Sequence, residues 1–343
     1  MTSNSIIKRS KKRLDWVDIA KGIAIILMVI GHEVENRSVY ALIFSFHMPL
    51  FFILSGYTSG AVLTWAKFRK KFKSTFIKVW LLAVLMVFLL GVENLIFSAH
   101  EKFPQFISSS LLGVLWGSNI PARGIMNVGV MWFMFVFFWA KLLFDFLQVV
   151  FPNKYNGVLL GILSYLMCIV TDNQLHWLPQ ALDVVPIAAL FMWCGHVLKI
   201  VFEKFISQRE HFEQVTVAVA FVYWIAMVQS NVYIELSVRR YPYFIFSFIE
   251  AIAGTIVIDY LSKCFSLNKG LASLKYVGRH TLAVLCIHHL DLYWVVWGGW
   301  IKSWPLAALT RLAIDLCILL IVIQVEKLRQ IARNNLNEFN DVN

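Results

Sequence analysis

Five polar residues lie inside two apolar stretches near the amino terminus: Asp18, Lys21, His32, His47 and Ser55. An ionisable group inside a hydrophobic segment is costly to bury, so it usually takes part in function or is closely partnered. Histidine suits general-base chemistry at neutral pH, because its unperturbed pKa is about 6.5. The two histidines are therefore candidates for proton transfer, whereas Ser55, beside Gly56, more often marks a site of close helix packing.

The spacing of the first three residues predicts a polar stripe on one helix. Lys21 and His32 are eleven positions apart, and eleven steps of about 100° return a helix to nearly the same face. They would stand about 16 Å apart along the axis, at a rise of about 1.5 Å per residue. Asp18 lies one turn before Lys21, so the pattern predicts an Asp18–Lys21 ion pair.

His47 lies toward the outer end of the second apolar stretch, whose Pro49 and Gly56 loosen the helix backbone. The short polar turn between the two stretches predicts that His47 faces His32. Two interpretations stay open for each imidazole, namely a general base and an interhelical hydrogen-bonding group.

The composition requires a membrane protein. Hydrophobic residues make up 59% of the 343 positions and charged residues only 15%, and the mean hydropathy is +0.69. Because a helix needs about 20 apolar residues to cross a bilayer, the sequence predicts an all-α, polytopic transmembrane bundle of about ten helices. The predicted segments are 15–34, 42–62, 75–98, 127–150, 155–171, 181–202, 214–230, 241–262, 278–297 and 304–326.

The net charge of +11 does not indicate nucleic-acid binding, because the distribution of basic residues follows the membrane topology. With a cytoplasmic amino terminus, most of the 31 basic residues fall on the inner side, as the positive-inside rule requires. Both termini are therefore predicted to be cytoplasmic. The expected organisation is a basic tail over 1–13, a membrane domain over 14–326 and a cytoplasmic tail over 327–343.

Other polar residues in or beside predicted helices are candidate ligand-binding groups. Glu250 is an intramembrane carboxylate, and Arg239 and Arg240 precede its helix, where they could bind an anionic glycan or a lipid phosphate. His288 and Asp291 are neighbours at i,i+3. No metal site is predicted from this spacing, and the five cysteines form no CxxC pair, so free thiols are expected.

The longest external connection is predicted at about 93–126. It contains an amphipathic stretch over 103–112, which is typical of a lid over a site or of a helix at the membrane surface without substrate contact.

The polar residues of the two amino-terminal apolar stretches, together with His288, lie in sequence blocks that resemble the acyltransferase-3 family of integral membrane acyltransferases. Within that family, the chain resembles in particular the fucose-4-O-acetylase-like, polysaccharide O-acetyltransferase branch. The similarity rests on blocks that run through nearly the whole chain: Asp18-Ile19-Ala20-Lys21-Gly22-Ile23 with Gly31-His32, Phe46-His47-Met48-Pro49 with Ser55-Gly56-Tyr57, Met131-Trp132-Phe133, Asp183 with Phe191-Met192-Trp193-Cys194-Gly195-His196, and Gly278-Arg279-His280-Thr281 with His288-His289.

The resemblance implies transfer of an acyl group from cytosolic acyl-CoA, expected to be acetyl-CoA, to a hydroxyl of a cell-surface or lipid-linked sugar. It implies His32 and His47 as catalytic residues and Arg13, Asp18 and Lys21 as donor-binding residues. Acceptor binding is assigned to four residues: Arg239, Arg240, Glu250 and His288. Much of the family has arginine where this chain has Lys21, and lysine lacks the bidentate fork that suits phosphate.

Two other functions remain open at the level of the sequence: a transporter or flippase for a lipid-linked sugar, and a non-catalytic partner in an envelope-assembly complex. Only the acyltransferase requires acyl-CoA, so a test for dependence on acyl-CoA distinguishes it from these two functions. The expected setting is the bacterial plasma membrane, with membrane lipids as neighbours and either a homo-oligomer or an envelope-assembly complex as the larger unit.

Overall fold

The structure, a computed structural model, describes residues 13–97, 103–120, 125, 127–151, 155–172, 178–202, 210–267 and 271–342. These residues form the helices α1 (Asp15–Gly31), α2 (Arg37–Thr58), α3 (Trp65–Thr75), α4 (Leu81–Phe97), α5 (Phe103–Trp116), α6 (Trp132–Val150), α7 (Asn156–Asp172), α8 (Val185–Val201), α9 (Glu210–Gln229), α10 (Phe244–Ser266), α11 (Ala272–Arg279), α12 (Thr281–Trp294), α13 (Trp297–Trp300) and α14 (Trp304–Val342).

The predicted all-helical class is confirmed within the described ranges, where strand-type pairing is limited to isolated bridge residues, namely Ile125 and the pair Glu235 and Arg240. Seven helical stretches of the described chain are long and apolar enough to cross a membrane. The three other predicted segments coincide with α1, α7 and α12, which have 17, 17 and 14 residues. The total of ten spans and the cytoplasmic position of both termini stay predictions.

Helices α1 and α2 form the centre of the bundle. They are joined by a short turn and pack against each other; α1 also contacts α10, α11, α12 and α14, and α2 also contacts α8, α9 and α10. Asn36 caps α2 by accepting hydrogen bonds from the backbone N–H groups of Ser38 and Val39, which fixes where the chain re-enters the bundle.

Glycines allow the central helices to approach very closely. A methyl group added at Gly56 of α2 would overlap the backbone carbonyl of Met192 on α8, and one added at Gly195 would overlap the carbonyl of Ile53. Small residues on both sides therefore let the two backbones touch, as in many membrane-helix pairs. Gly278 gives α11 the same close approach to Asp18 of α1.

Two predicted boundaries differ from the structure by ten residues or more. The third segment was expected to begin at 75, but helix begins at Trp65 and continues through α3 and a π-helical turn over Phe76–Trp80 into α4. The last helix continues to Val342 instead of ending at 326. Both extensions consist mainly of polar residues. The boundaries were predicted from runs of apolar residues, and such runs do not mark a polar helix.

The amphipathic stretch at 103–112 forms the first part of α5. Phe106 and Ser110 are buried against Gly91 of α4, which explains the amphipathic pattern by helix packing. The remaining residues of the predicted connection at 98–102, 121–124 and 126 lie outside the described ranges.

Candidate active site

A cavity of about 620 Å³ lies between α1, α2, α6 and α12. Because α1 and α2 run antiparallel, the start of α1 and the end of α2 form one end, where Lys21, Ser55 and Thr58 line the wall. The opposite end is lined by Tyr40 of α2 and by loop residues that include Asn119, Asn127, Glu235 and Ser237. His32 and His47 line the same cavity, so the polar stripe predicted on α1 faces an open space.

His32 heads a chain of hydrogen bonds that joins three helices. Its Nδ1 lies 2.8 Å from the carbonyl oxygen of Met28 and 3.3 Å from Nε2 of His288 on α12. Nδ1 of His288 lies 3.0 Å from a carboxylate oxygen of Asp315 on α14. His288 and Asp315 are fully buried, so water does not compete for the bond between them, whereas His32 is exposed.

The order of partners selects one tautomer for each ring. An ionised Asp315 carboxylate can only accept a hydrogen bond, so in that state His288 donates from Nδ1 and keeps a lone pair on Nε2. That lone pair and the Met28 carbonyl both accept from His32, which therefore carries its proton on Nδ1. Nε2 of His32 is left with a free lone pair, which is the form that a general base requires.

Positive charge beside this chain comes from Arg311 of α14. Its Nε lies 3.0 Å from Glu33 and 3.3 Å from Asp291, and its side chain is almost completely buried. Asp291 therefore pairs with Arg311 and not with His288, its neighbour at i,i+3. The carboxylate that contacts His288 Nδ1 is that of Asp315, 27 positions away, and not that of its sequence neighbour Asp291.

His288, Asp291 and Asp315 also place three potential metal ligands within 4.8 Å of one another. The arrangement favours a hydrogen-bonded network over a metal site, because Nδ1 of His288 already contacts Asp315 and the guanidinium of Arg311 already neutralises Asp291.

His47 lies in the cavity wall, one helical turn beyond Phe44, whose ring lies between the two histidines: its centroid is 6.0 Å from that of His32 and 4.8 Å from that of His47. Nδ1 of His47 lies 2.9 Å from the carbonyl of Ile43. This bond orients the ring along α2 and leaves Nε2 available. His47 thus lies near His32 without forming a hydrogen bond to it.

The predicted Asp18–Lys21 ion pair is wrong. Asp18 accepts hydrogen bonds from Arg13 at 2.6 and 2.9 Å and from Arg279 of α11 at 3.2 Å. The close approach of α11 at Gly278 brings Arg279 to Asp18, which a pattern within one helix could not indicate. Within the described part of the chain Lys21 forms no ion pair, and it lines the cavity.

The structure also corrects the expectation for the two arginines before α10. Arg239 is buried and bonds to Asp183 at 2.8 Å and to Asn119 at 2.8 Å. Arg240 donates to the Asn231 carbonyl and lies over the Tyr233 ring. Neither lines the cavity. Both arginines bond to other residues of the protein and so hold the connection between α9 and α10 in place.

Glu250 does not reach the cavity either. It is fully buried and accepts a hydrogen bond from the backbone N–H of Ile234 at 3.4 Å. Its neighbourhood includes Ser45 of α2 and Trp224 of α9, which bond to each other at 2.9 Å. Glu250 thus lies at the contact of three helices, which is a packing position.

Three residues of the site were missed from the sequence: Asp315, Arg311 and Glu235. The first two carried a usable signal, because both are charged residues in the otherwise apolar segment 304–326. Glu235 lies in a connection between helices, where a charged residue is ordinary, so no pattern could have identified it.

The family model for the acyltransferase domain named acyltransferase-3 matches residues 14–324. Neither a curated protein nor a solved structure matches the chain significantly. The family match covers almost the entire helical bundle, including His32, His288 and Asp315. The chain is a membrane protein and belongs to the acyltransferase-3 family of membrane acyltransferases.

Proposed function

We propose that this protein is an O-acyltransferase of the bacterial plasma membrane. It moves an acetyl or related acyl group from cytosolic acyl-CoA to a hydroxyl of a cell-surface or lipid-linked glycan, as in the polysaccharide O-acetyltransferase branch of the family. The observation that carries the proposal is the chain from Asp315 through His288 to His32, which lines a cavity of about 620 Å³.

The histidine chain supplies the proton transfer that O-acylation requires. Nε2 of His32 removes the proton from the acceptor hydroxyl while the hydroxyl oxygen attacks the thioester carbonyl carbon. A new C–O bond forms, the C–S bond breaks, and the CoA sulfur receives the proton from His32. His288 and the Asp315 carboxylate stabilise the transient imidazolium, as a carboxylate does in other histidine-based acyl transfer.

The donor enters from the Lys21 end. This end adjoins the exposed basic helix α3, whose cationic residues are Lys67, Arg69, Lys70, Lys71 and Lys73. Basic side chains at a surface attract polyanions, and CoA carries several phosphate charges. Lys21 lines the cavity deeper in the bundle and there provides a positive charge for the donor.

A flippase or transporter would also need a polar cavity. A histidine oriented by a buried carboxylate is the arrangement that general-base catalysis uses. Proton-coupled transporters use similar relays, so dependence on acyl-CoA separates the two functions. An envelope-assembly complex is compatible with the enzyme, which could work within one or as a homo-oligomer.

The test uses membrane vesicles from cells that produce the protein, incubated with radiolabelled acetyl-CoA. We expect label in the glycan or lipid-linked sugar fraction with the wild-type protein and a loss of about 10²–10⁴-fold with His32→Ala. His211→Ala is the matched control, because His211 lies exposed on α9 away from the cavity. Absence of acyl-CoA-dependent labelling in the wild-type sample would contradict the proposal.

A further inference from the structure

The cavity end opposite Lys21 has the composition of a sugar-binding surface. Its described lining contains the carboxylate of Glu235, the amides of Asn119 and Asn127 and the aromatic rings of Tyr40 and Trp132. Carboxylates and amides bind hydroxyl groups, and aromatic rings cover the apolar face of a ring. No lysine or arginine lies in the described lining of this end.

Glu235 has one oxygen committed to the protein and one available. Oε1 accepts hydrogen bonds from the hydroxyl of Tyr40 at 2.7 Å and from the hydroxyl of Ser237 at 3.2 Å. Oε2 forms no hydrogen bond with the described residues and is absent from their set of buried, unpartnered polar atoms. An ionised carboxylate offers about four acceptor sites, so Glu235 retains capacity for donors from a ligand.

The loop that carries Glu235 is built to hold it in place. Glu235 and Arg240 exchange two backbone hydrogen bonds of 3.0 Å, which close a tight hairpin. Arg239 adopts a left-handed backbone conformation, with φ of 55°. Its guanidinium bonds to Asp183, Asn119 and the carbonyl of Ser237. This buried anchor explains why an arginine that does not reach the cavity lies next to residues that do.

The Glu235 carboxylate and His32 line the same cavity and are connected through two aromatic rings. The ring of His32 contacts Phe44 at 6.0 Å between centroids, and Phe44 stacks on Tyr40 at 4.0 Å. Tyr40 in turn donates to Glu235. Two ring contacts and one hydrogen bond thus connect the candidate base with the carboxylate along a single wall.

We propose that Glu235 binds hydroxyl groups of the acceptor and selects an uncharged sugar ring at the cavity. This inference rests on the proposed function and specifies its acceptor. The carboxylate accepts hydrogen bonds from the sugar and repels an acceptor that carries a phosphate on the same ring. The described lining of this end contains no lysine or arginine to offset the repulsion, and the nearby Arg239 is already paired with Asp183. Glu235 is thus a specificity-determining residue, and His32 performs the proton transfer.

The test extends the vesicle assay to Glu235→Gln. Glutamine keeps an oxygen for Tyr40 and Ser237 but removes the charge, so the hairpin stays formed. We expect transfer of label to the native acceptor to fall at least about tenfold, in line with a hydrogen bond to a charged group. Binding of acetyl-CoA by the purified full-length protein should change less than twofold. Glu213→Gln is the matched control, because Glu213 pairs with Lys263 away from the cavity.

A competition arm tests the neutral acceptor directly. Methyl glycosides of glucose, galactose and fucose, added in large excess, should reduce label transfer by the wild-type protein, and glucose 6-phosphate should not. Wild-type transfer by Glu235→Gln, an equal loss of acetyl-CoA binding, no competition by any methyl glycoside, or equal competition by glucose 6-phosphate would overturn the inference. These outcomes leave the proposed function standing as long as transfer still depends on His32.

Discussion

At the scale of single residues, the chemistry depends on how His32 is held. The ring could not act as a base if its proton were on Nε2, and two acceptors, the Met28 carbonyl and His288, keep the proton on Nδ1. The Asp315 carboxylate fixes His288 in turn. Removing a residue that orients a functional histidine, as His288 and Asp315 orient His32, commonly changes activity by about 10- to 100-fold.

The first prediction concerns Asp315→Asn. The amide preserves shape but no longer requires His288 to donate from Nδ1, so the proton on His32 can move to Nε2. We expect kcat to fall about 10- to 100-fold with an unchanged KM for acetyl-CoA, and Asp315→Glu to restore part of the loss. Asp259→Asn on α10 is the control, since Asp259 lies outside the cavity. A rise in KM with constant kcat would contradict this role.

The second prediction concerns Lys21. Lys21→Ala removes the cation of the donor end and should abolish most transfer, whereas Lys21→Arg keeps the charge and should retain part of it. Steady-state kinetics with varied acetyl-CoA provide the measurement. If the alanine variant transferred at the wild-type rate, Lys21 would have no part in donor binding.

At the scale of elements, the sequence predicted the helices whose apolar runs match a bilayer, such as α2, α10 and α14. It did not predict α3, because that helix is recognised by basic residues along an exposed surface and has no apolar run. It also could not predict which helices meet. His288 and Asp315 are 27 positions apart, and Arg239 and Asp183 are 56 apart, so these pairs depend on packing between helices.

The third prediction tests the close contact between α2 and α8. Gly195→Ala forces a methyl group against the Ile53 carbonyl, so the helices must separate. We expect a loss of about 1–3 kcal/mol in the free energy of unfolding. Gly161→Ala is the matched control, because nothing lies within 4 Å of a methyl group added there. The measurement is the thermal unfolding of both variants in the same detergent. Equal midpoint temperatures for Gly195→Ala and Gly161→Ala would refute the close contact.

At the scale of the whole molecule, the account requires that the two ends of the cavity face opposite sides of the membrane. The sequence predicts this orientation from its basic residues, since the Lys21 end adjoins the cationic helix α3. The family and the all-helical class were accessible from the sequence, because motif blocks and apolar runs are local. The cavity was not, because its wall combines residues from α1, α2, α6, α12 and several connections between helices.

The fourth prediction addresses this topology. In a protein whose five native cysteines have been replaced, Lys70→Cys on α3 should react with an impermeant thiol reagent only after cells are permeabilised. Ser108→Cys on α5 should react in intact cells. Both residues are exposed in the structure. The reverse pattern would place the donor end outside the cell, where acyl-CoA is absent.

The most direct test of the central claim is mass spectrometry of surface and lipid-linked glycans from three matched strains, which lack the gene, carry the wild-type gene or carry His32→Ala. Immunoblots confirm equal membrane insertion of the two proteins. The account predicts an acyl mass increment on a sugar in the wild-type strain alone. An increment of equal abundance with His32→Ala, or none in any strain, would contradict the assignment of this protein as a histidine-dependent O-acyltransferase.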